Sequence, residues 1–416
     1  MALGDDDCSL TGRHEVCPVF LSVPLPIAKG SRMTDTLRRV CLTAVTGLGL
    51  CLTLLPAGQA HAQAPTRVPC NDIAALKTAI NNANTGGGSI ALAPRCTYSL
   101  TAADNTDDGL PEITGKVRIT GDGTIIQRAP NATGAFRIFH VTQTGNLSLD
   151  SLTVRGGDAS GNGFAAAGGG LLNDRGRLTL TDSTVRNNRS EFLGGGIWNN
   201  VGTLTLRNTR VRDNTSDVGG AVATSGTMTM RGGALNENTA ASWAGGLANS
   251  GNTKLDGVSL AGNNVGEGRG GLGGGIMTMS SSSGSGIQTG PLRLNSTSVR
   301  GNIVETSGGG IFIGAHEPTT LYKSTVTRNT ANGGPTQGGG INNDGRLFGV
   351  VISPSGSTER QQGKAGSSTK QTPEVKLIKS AVFKNHPTNC APPNTVPSCD
   401  AVDSAPGTAK PKPGKN

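Results

Sequence analysis

The sequence contains few aromatic residues. Phe, Trp and Tyr make up 3% of its 416 residues, and Trp198 and Trp243 are the only tryptophans. This scarcity counts against a cleft in which sugar rings stack on aromatic side chains. Apolar periodicity of helical length is also missing from the central part of the chain, where glycines would interrupt a helix at about every turn. These two absences exclude a mainly helical fold and disfavour an aromatic sugar cleft.

The sequence also lacks an apolar run of membrane-spanning length. The run Val40–Leu55 has 16 residues, whereas a membrane helix needs about 20. Arg38–Arg39 precede this run and Ala60–Ala62 follow it, an arrangement typical of a cleavable secretory signal peptide. We therefore interpret residues 1–62 as leader and signal peptide, with Met33 as a second candidate start. The mature chain is expected to be secreted, extracellular or surface-associated, with no membrane span.

Glycine, in contrast, is abundant, with 64 residues, and a glycine-rich phrase recurs seven times between Gly168 and Gly340. Two copies read GGGLLNDRGRLTLTDSTVRNN and GGGIWNNVGTLTLRNTRVRDN, and the first copies are 24 to 26 residues apart. Leu-Thr-Leu places its leucines on one face of a strand. A unit of this length with three short strands indicates one turn of a parallel β-helix, whose stacked turns share a core that none could bury alone.

The segments outside the repeat predict covers for the two ends of this solenoid. NDIAALKTAINNAN has a helical spacing of apolar residues and would close the first end. We divide the mature chain into an N-terminal cap (63–100), a β-helix of about nine turns (101–385) and an exit with a disordered basic tail (386–416). Insertions near 280–286, 315–320 and 353–372 fall at one point of the turn, so we expect loops on one side of the solenoid, as a binding face or as tolerated surface variation.

The cysteines agree with export. Four of the eight lie in the predicted leader, and the other four flank the repeats. Three pairings of Cys70, Cys96, Cys390 and Cys399 can be drawn. Because a solenoid holds its ends apart, we favour Cys70–Cys96 and Cys390–Cys399, and such disulfides persist in oxidising compartments.

The repeat phrase GG-[GA]-[ILV]…N…G-x-L-x-L…N resembles the repeats of polymorphic outer membrane proteins and of pectin-lyase-like proteins. CNDIAALKTAINNAN…IALAPRCTYSLT resembles the N-terminal cap of secreted bacterial β-helix proteins. The resemblance covers roughly Cys70 to Asn385. It implies an all-β fold, a right-handed parallel β-helix with an N-terminal helical cap, and leaves the activity open, because this fold hosts enzymes and adhesins alike.

An enzyme with this resemblance would be similar to a pectate lyase or a polygalacturonase. A lyase needs a calcium-binding carboxylate cluster and a basic residue. A hydrolase needs paired carboxylates. Gly-His-Gly, Arg-Ile-Lys and Asn-Thr-Asp are absent from the glycine-rich repeats between Gly168 and Gly340. We therefore favour a non-catalytic extracellular protein that acts in adhesion or polysaccharide binding. A polysaccharide lyase or glycoside hydrolase is the alternative, and a purely structural surface protein is a third reading.

Basic residues supply the candidate ligand-binding site. The net charge is +9, and the segment after residue 359 has nine Lys or Arg against three Asp or Glu. Within the repeats, an arginine follows a strand valine at several equivalent positions, where stacked guanidinium groups could bind an acidic polysaccharide or cell-wall polymer. A solvated face that discourages edge pairing is the other reading, and we expect no nucleic-acid partner. The candidate residues are Arg155, Arg186, Arg212 and Arg300.

An acidic cluster and a repeated asparagine are two further candidate features. Asp104, Asp107 and Asp108 are the candidate calcium ligands, against the reading of a solvated loop without EF-hand spacing; we expect no other cofactor. The repeated asparagine at Asn188, Asn214 and Asn238, continued by residue 263 or 264, is predicted to be structural, because stacked amides can bond from turn to turn.

Overall fold

A computed structural model describes residues 64–399 except 162, 267–269, 284–285, 344, 346–347, 353–357 and 363–371. The predicted leader (1–62) and the tail after residue 399 lie outside this part. The described chain is an all-β parallel β-helix with a single α-helix, as the repeat predicts. This helix is not long and apolar enough to cross a membrane.

The elements of the first half are β1 (Thr66–Val68), α1 (Ile73–Gly86), β2 (Gly88–Leu92), β3 (Thr97–Leu100), β4 (Lys116–Arg128), β5 (Phe139–Val141), β6 (Asn146–Arg155), β7 (Asp158–Ala159), a 3-10 helix (Gly163–Ala166), β8 (Leu171–Asp174), β9 (Arg177–Thr181), β10 (Thr184–Arg186), β11 (Arg189–Ser190), β12 (Ile197–Asn200), β13 (Thr203–Arg212), β14 (Thr215–Val218), β15 (Val222–Thr224), β16 (Thr227–Asn236) and β17 (Thr239–Trp243).

Those of the second half are β18 (Leu247–Asn249), β19 (Asn252–Asp256), β20 (Ser259–Ala261), β21 (Asn264–Val265), β22 (Ile276–Thr278), β23 (Ser280–Ser283), β24 (Gly286–Gln288), β25 (Leu292–Asn295), β26 (Ser298–Arg300), β27 (Ile303–Val304), β28 (Ile311–Ile313), β29 (Thr319–Tyr322), β30 (Thr325–Thr327), β31 (Thr330–Ala331), β32 (Gly338–Asn342), β33 (Phe348–Ile352), β34 (Thr358–Gln362), β35 (Val375–Ile378), β36 (Ala381–Phe383) and β37 (Thr388–Ala391).

Three long parallel sheets run along the solenoid. Sheet 1 bends into two arms: arm 1a includes β9, β19, β25, β29 and β35, arm 1b includes β10, β20, β26, β30 and β36, and β6, β13 and β16 pass through both. Sheet 2 has seven strands, from β7 to β31, and sheet 3 has nine, from β5 to β37. A repeating turn therefore visits sheet 3, arm 1a, arm 1b and sheet 2.

The bend between the arms makes a turn more segmented than the predicted three strands. Asp182 and Asn208 lie between the arms with φ of 47°. This left-handed conformation is tolerated best by Gly, Asn and Asp, and it redirects the chain before the next short strand. Inside arm 1a the leucines predicted to share a face do so: Leu178, Leu204 and Met228 are aligned and fully buried.

The asparagine ladder is the internal seam between arm 1b and sheet 2. The side-chain Nδ2 of each asparagine donates to the Oδ1 of the next asparagine in the ladder, over 2.8–3.2 Å. The Nδ2 also donates to a backbone carbonyl of the preceding turn or of the same turn. Asn389 accepts the final bond from within the same turn. The structural prediction is confirmed, and residue 263, not 264, is the member. The ladder is Asn188, Asn214, Asn238, Asn263, Asn302, Asn329, Asn385 and Asn389.

The glycine cluster between sheets 2 and 3 allows successive turns to approach closely. A Cβ added at Gly195 would lie 2.5 Å from the carbonyl oxygen of Gly220, and the corresponding distance from Gly220 to Gly245 is 2.4 Å. Real Cβ atoms do not come this close to backbone oxygen, so a residue with a side chain would push the turns apart. This contact explains the recurrence of the phrase.

A second apolar cluster lies outside the solenoid, on the outer face of sheet 3. It includes Trp198, Phe312, Trp243 and Phe348, and both tryptophans are buried. The insertions lie on this side: β23 pairs in parallel with β33, and together with β24 and β34 they form a four-stranded sheet. All three insertions fall between a strand of sheet 3 and the next strand of arm 1a, namely between β22 and β25, β28 and β29, and β32 and β35, as expected.

The two ends contain the predicted disulfides. Cys70–Cys96 is present, with its Cα atoms 5.6 Å apart, and Cys390 is bonded to Cys399. Helix α1 begins with Asp72 as N-cap and buries Leu76 and Ile80 in the main core; its role in closing the end against solvent stays a prediction. At the other end, exposed lysines on the last turn oppose edge-to-edge pairing of strands. These are Lys376, Lys379 and Lys384.

Replacement of a ladder member should destabilise the fold far more than replacement of its neighbour. The backbone N and the side-chain Nδ2 of Asn238 both donate to Oδ1 of Asn263. Asn263→Ala removes this acceptor and leaves buried groups unsatisfied. We expect a loss of at least about 2 kcal/mol in the free energy of unfolding, measured by urea denaturation. Asn264→Ala, on an exposed side chain, should stay within about 0.5 kcal/mol. Equal effects would show that the ladder does not hold the turns.

Candidate functional site

The arginines at the end of arm 1b form a continuous column. Arg186 is aligned with Arg155 in the preceding turn and with Arg212 in the following turn. The valine before each one is buried, so alternation along the strand turns the arginine outward. Neighbouring strands lie about 4.8 Å apart. Three of the four predicted arginines are therefore stacked at one-turn spacing on the outer surface.

Arg300 lies in the same column but apart from the other three. Asn236 and Ala261 occupy the two intervening turns, and Arg300 is next to Thr327 on its other side. The column is therefore interrupted over two turns.

Further arginines adjoin the column. Arg207 and Arg231 are aligned neighbours in arm 1a, and Arg210 precedes Arg212 by two residues on the same face. We name this surface the arginine patch. Within the described chain, an ion pair to a carboxylate is found for Arg212 with Asp213 and for no other member. The patch consists of Arg155, Arg186, Arg207, Arg210, Arg212 and Arg231.

The cations of the patch influence one another. Burial, and then the charges of Arg155 and Arg212, lower the pKa of Arg186 below its ordinary value, and Asp213 acts in the opposite direction. Polar contacts also orient the column: Arg155 Nε donates to Gln127 Oε1 (2.7 Å) and an Arg186 guanidinium nitrogen donates to Asn187 Oδ1 (2.8 Å). The turn-to-turn register thus holds like charges close together.

The three predicted calcium ligands pair with cationic side chains, and two of them share one arginine. Asp104 pairs with Lys77 at 3.1 Å, and Asp107 pairs with Arg137 at 2.9 Å. Asp108 pairs with the other guanidinium nitrogen of Arg137 at 3.0 Å, and both of these side chains are fully buried. The structure brings Asp108 together with a different pair of residues.

These residues are Glu112 and His140, and we name the group of three the Asp-Glu-His cluster. His140 Nδ1 lies 3.3 Å from Asp108 Oδ2 and 3.4 Å from Glu112 Oε1. Burial would raise the pKa of Asp108, but the hydrogen bond with His140 and the charge of Arg137 outweigh it and lower that pKa. In the described part of the chain, this is the one group of three potential metal ligands whose atoms all lie within 4.8 Å of one another.

Sequence analysis missed Glu112 and His140 because they belong to turns that lack the glycine phrase. The loop that carries Asp108 and Glu112 runs beside β5, with bridges from Asp108 to Arg137 and from Ile113 to Val141. Residues separated by 28 or 29 positions therefore become neighbours here. The number of residues per turn in this region would have shown that Glu112 and His140 are neighbours. The first turns contain no repeated phrase from which that number could be measured.

No protein-family model, curated protein or solved structure matches this chain. The resemblance to polymorphic outer membrane and pectin-lyase-like repeats therefore rests on the repeat phrase, and the fold that it implies is shown as a parallel β-helix.

The buried pair between Arg137 and Asp108 should be important for stability. Arg137→Met leaves the Asp108 carboxylate buried without its main cation, which costs about 3–5 kcal/mol in the free energy of unfolding. Arg118→Met breaks the ion pair with Asp150, in which the arginine side chain is 54% exposed. Its loss should cost at most about 1 kcal/mol in the free energy of unfolding. Urea denaturation of both variants measures the difference, and similar losses would contradict the buried pair's structural role.

Proposed function

We propose that the protein is a non-catalytic extracellular protein that binds an acidic polysaccharide through the arginine patch. The observation that carries this proposal is the column of Arg155, Arg186 and Arg212, stacked in consecutive turns. Adhesion to a surface that displays such a polymer would be its biological use.

The charges of the patch favour a polyanion as ligand. Cations held in register repel one another, and this repulsion lowers the stability of the protein unless an anion lies between them. A carboxylate can accept two parallel hydrogen bonds from one guanidinium group. A linear polymer that lies parallel to the solenoid axis would meet one guanidinium about every 4.8 Å, so a chain with one acid group per sugar would offer a matching series.

Other features of the chain support a polysaccharide in preference to a nucleic acid. Proteins that bind single strands stack bases on aromatic side chains beside a basic groove. Trp198 and Trp243 are instead buried in the outer apolar cluster on sheet 3. The predicted signal peptide and the disulfides support a location outside the cell, where such polymers occur.

Loss of two column arginines should weaken polymer binding selectively. In Arg186→Ala/Arg212→Ala, affinity for polygalacturonate at low salt should fall by about 10-fold, because two exposed charge pairs of roughly 0.5–1 kcal/mol each are lost. Arg67→Ala/Arg293→Ala removes the same charge outside the patch and should retain near-wild-type affinity. Affinity electrophoresis or calorimetry measures both, and wild-type binding should decrease as salt rises.

Three outcomes would contradict this proposal. Equal loss in the two double variants would indicate non-specific attraction to net charge. Absence of binding to both polygalacturonate and teichoic acid would remove the acidic polymer as ligand. Release of unsaturated uronate, detected by ultraviolet absorbance with or without calcium, would replace binding with lyase activity.

A further inference from the structure

We infer that Asp108, Glu112 and His140 form a binding site for a divalent first-row transition metal ion such as Zn²⁺. This site is separate from the arginine patch, because it lies between β5 of sheet 3 and the loop that precedes β4. The inference therefore stands or falls independently of the polysaccharide proposal.

The spacing of the donor atoms matches a small tetrahedral ion. Zn²⁺ binds nitrogen and oxygen at roughly 2.0–2.1 Å, and tetrahedral angles then place ligand atoms about 3.3–3.4 Å apart. His140 Nδ1 is 3.3 Å from Asp108 Oδ2 and 3.4 Å from Glu112 Oε1. Two of the three donor distances thus have the tetrahedral value, and all three donor atoms lie within 4.8 Å of one another.

The surroundings of Asp108 hold its carboxylate in place. Arg137 donates to Oδ1 at 3.0 Å, and Asn105 Nδ2 donates to Oδ2 at 2.9 Å. The same asparagine accepts from the backbone N–H groups of Asp107 and Asp108, which fixes the loop. Such outer contacts orient a metal ligand before the ion arrives.

The ring of His140 is oriented by its Nδ1 side. Nδ1 faces the two carboxylates, whereas Nε2 is buried and has no hydrogen-bond partner among the described residues. Without an ion, an Nδ1–H can donate to either carboxylate; binding of an ion would require the tautomer with its proton on Nε2, which directs the Nδ1 lone pair at the ion. The ring thus presents the nitrogen that a metal requires.

Charge and access also fit a dication. Asp107, Asp108 and Glu112 supply three carboxylates, and Arg137 is the cation paired with two of them. A surface groove lined by Asp104, Asp107 and Glu112 borders the cluster on the side of helix α1, so an ion could enter from solvent. Glu112 itself is 46% exposed and would complete the site from the groove.

The donor set selects a transition ion over calcium. Calcium takes about six to eight oxygen ligands, whereas this cluster offers one imidazole nitrogen and two carboxylates. That combination suits Zn²⁺ and its neighbours. Three protein ligands would leave a fourth position for a water molecule.

The test is titration of the full, tag-free chain with Zn²⁺ by isothermal calorimetry after treatment with a chelator. We expect one ion per chain in the wild type and a rise in its melting temperature on binding. Glu112→Gln and His140→Ala should each reduce the affinity by at least about 10-fold. His316→Ala and Asp104→Asn, which alter an exposed histidine and the neighbouring loop carboxylate, should bind as the wild type does.

Asp108 is left unchanged in this test because its loss would leave Arg137 buried without a compensating charge. Circular dichroism of each variant establishes that it is folded before the titration is interpreted. The inference is overturned if the folded wild type binds no stoichiometric Zn²⁺. It is also overturned if Glu112→Gln and His140→Ala retain the wild-type affinity, or if Ca²⁺ displaces Zn²⁺ at equal concentration.

Discussion

Close contact between successive turns at the asparagine and glycine corners is the constraint on which the rest of the solenoid depends. Each ladder amide before Asn389 accepts from a backbone N–H of the preceding turn, and the glycines let carbonyl oxygens approach to distances that a Cβ would forbid. Because both contacts recur once per turn, they fix the register of every strand between them. The buried leucines, the bend of sheet 1 and the outward positions all follow from that register.

The same register determines what the surface can present. A side chain that points outward in one turn lies beside its equivalent in the next, so a single repeated arginine becomes a linear array of charge. Sheet 3 uses its outward positions differently, since there the equivalent residues are apolar and covered by inserted strands. One face is thus available to a ligand, and another is used to extend the core. The Asp-Glu-His cluster belongs to neither, because it forms where an irregular loop precedes the regular turns.

How far the sequence predicts this structure depends on where the repeat is regular. Leu178, Leu204 and Arg186 could be placed because the phrase aligns without gaps, and the Cys70–Cys96 pairing followed from the separation of the ends. The burial of Trp198 could not be inferred, because alternation shows that a residue points outward but not that a distant insertion covers it. His140 was assigned no role for a related reason: its partners come from the preceding, unpatterned turn.

The last bond of the asparagine ladder has a consequence for assembly. Asn389 occupies the place that an asparagine of a further turn would take, and it comes from the same turn as its donor, Asn385. The acceptor that a second molecule would have to supply at this corner is therefore already present. The ladder therefore ends inside the molecule, and a second molecule placed at this end would not be needed to satisfy the amide of Asn385.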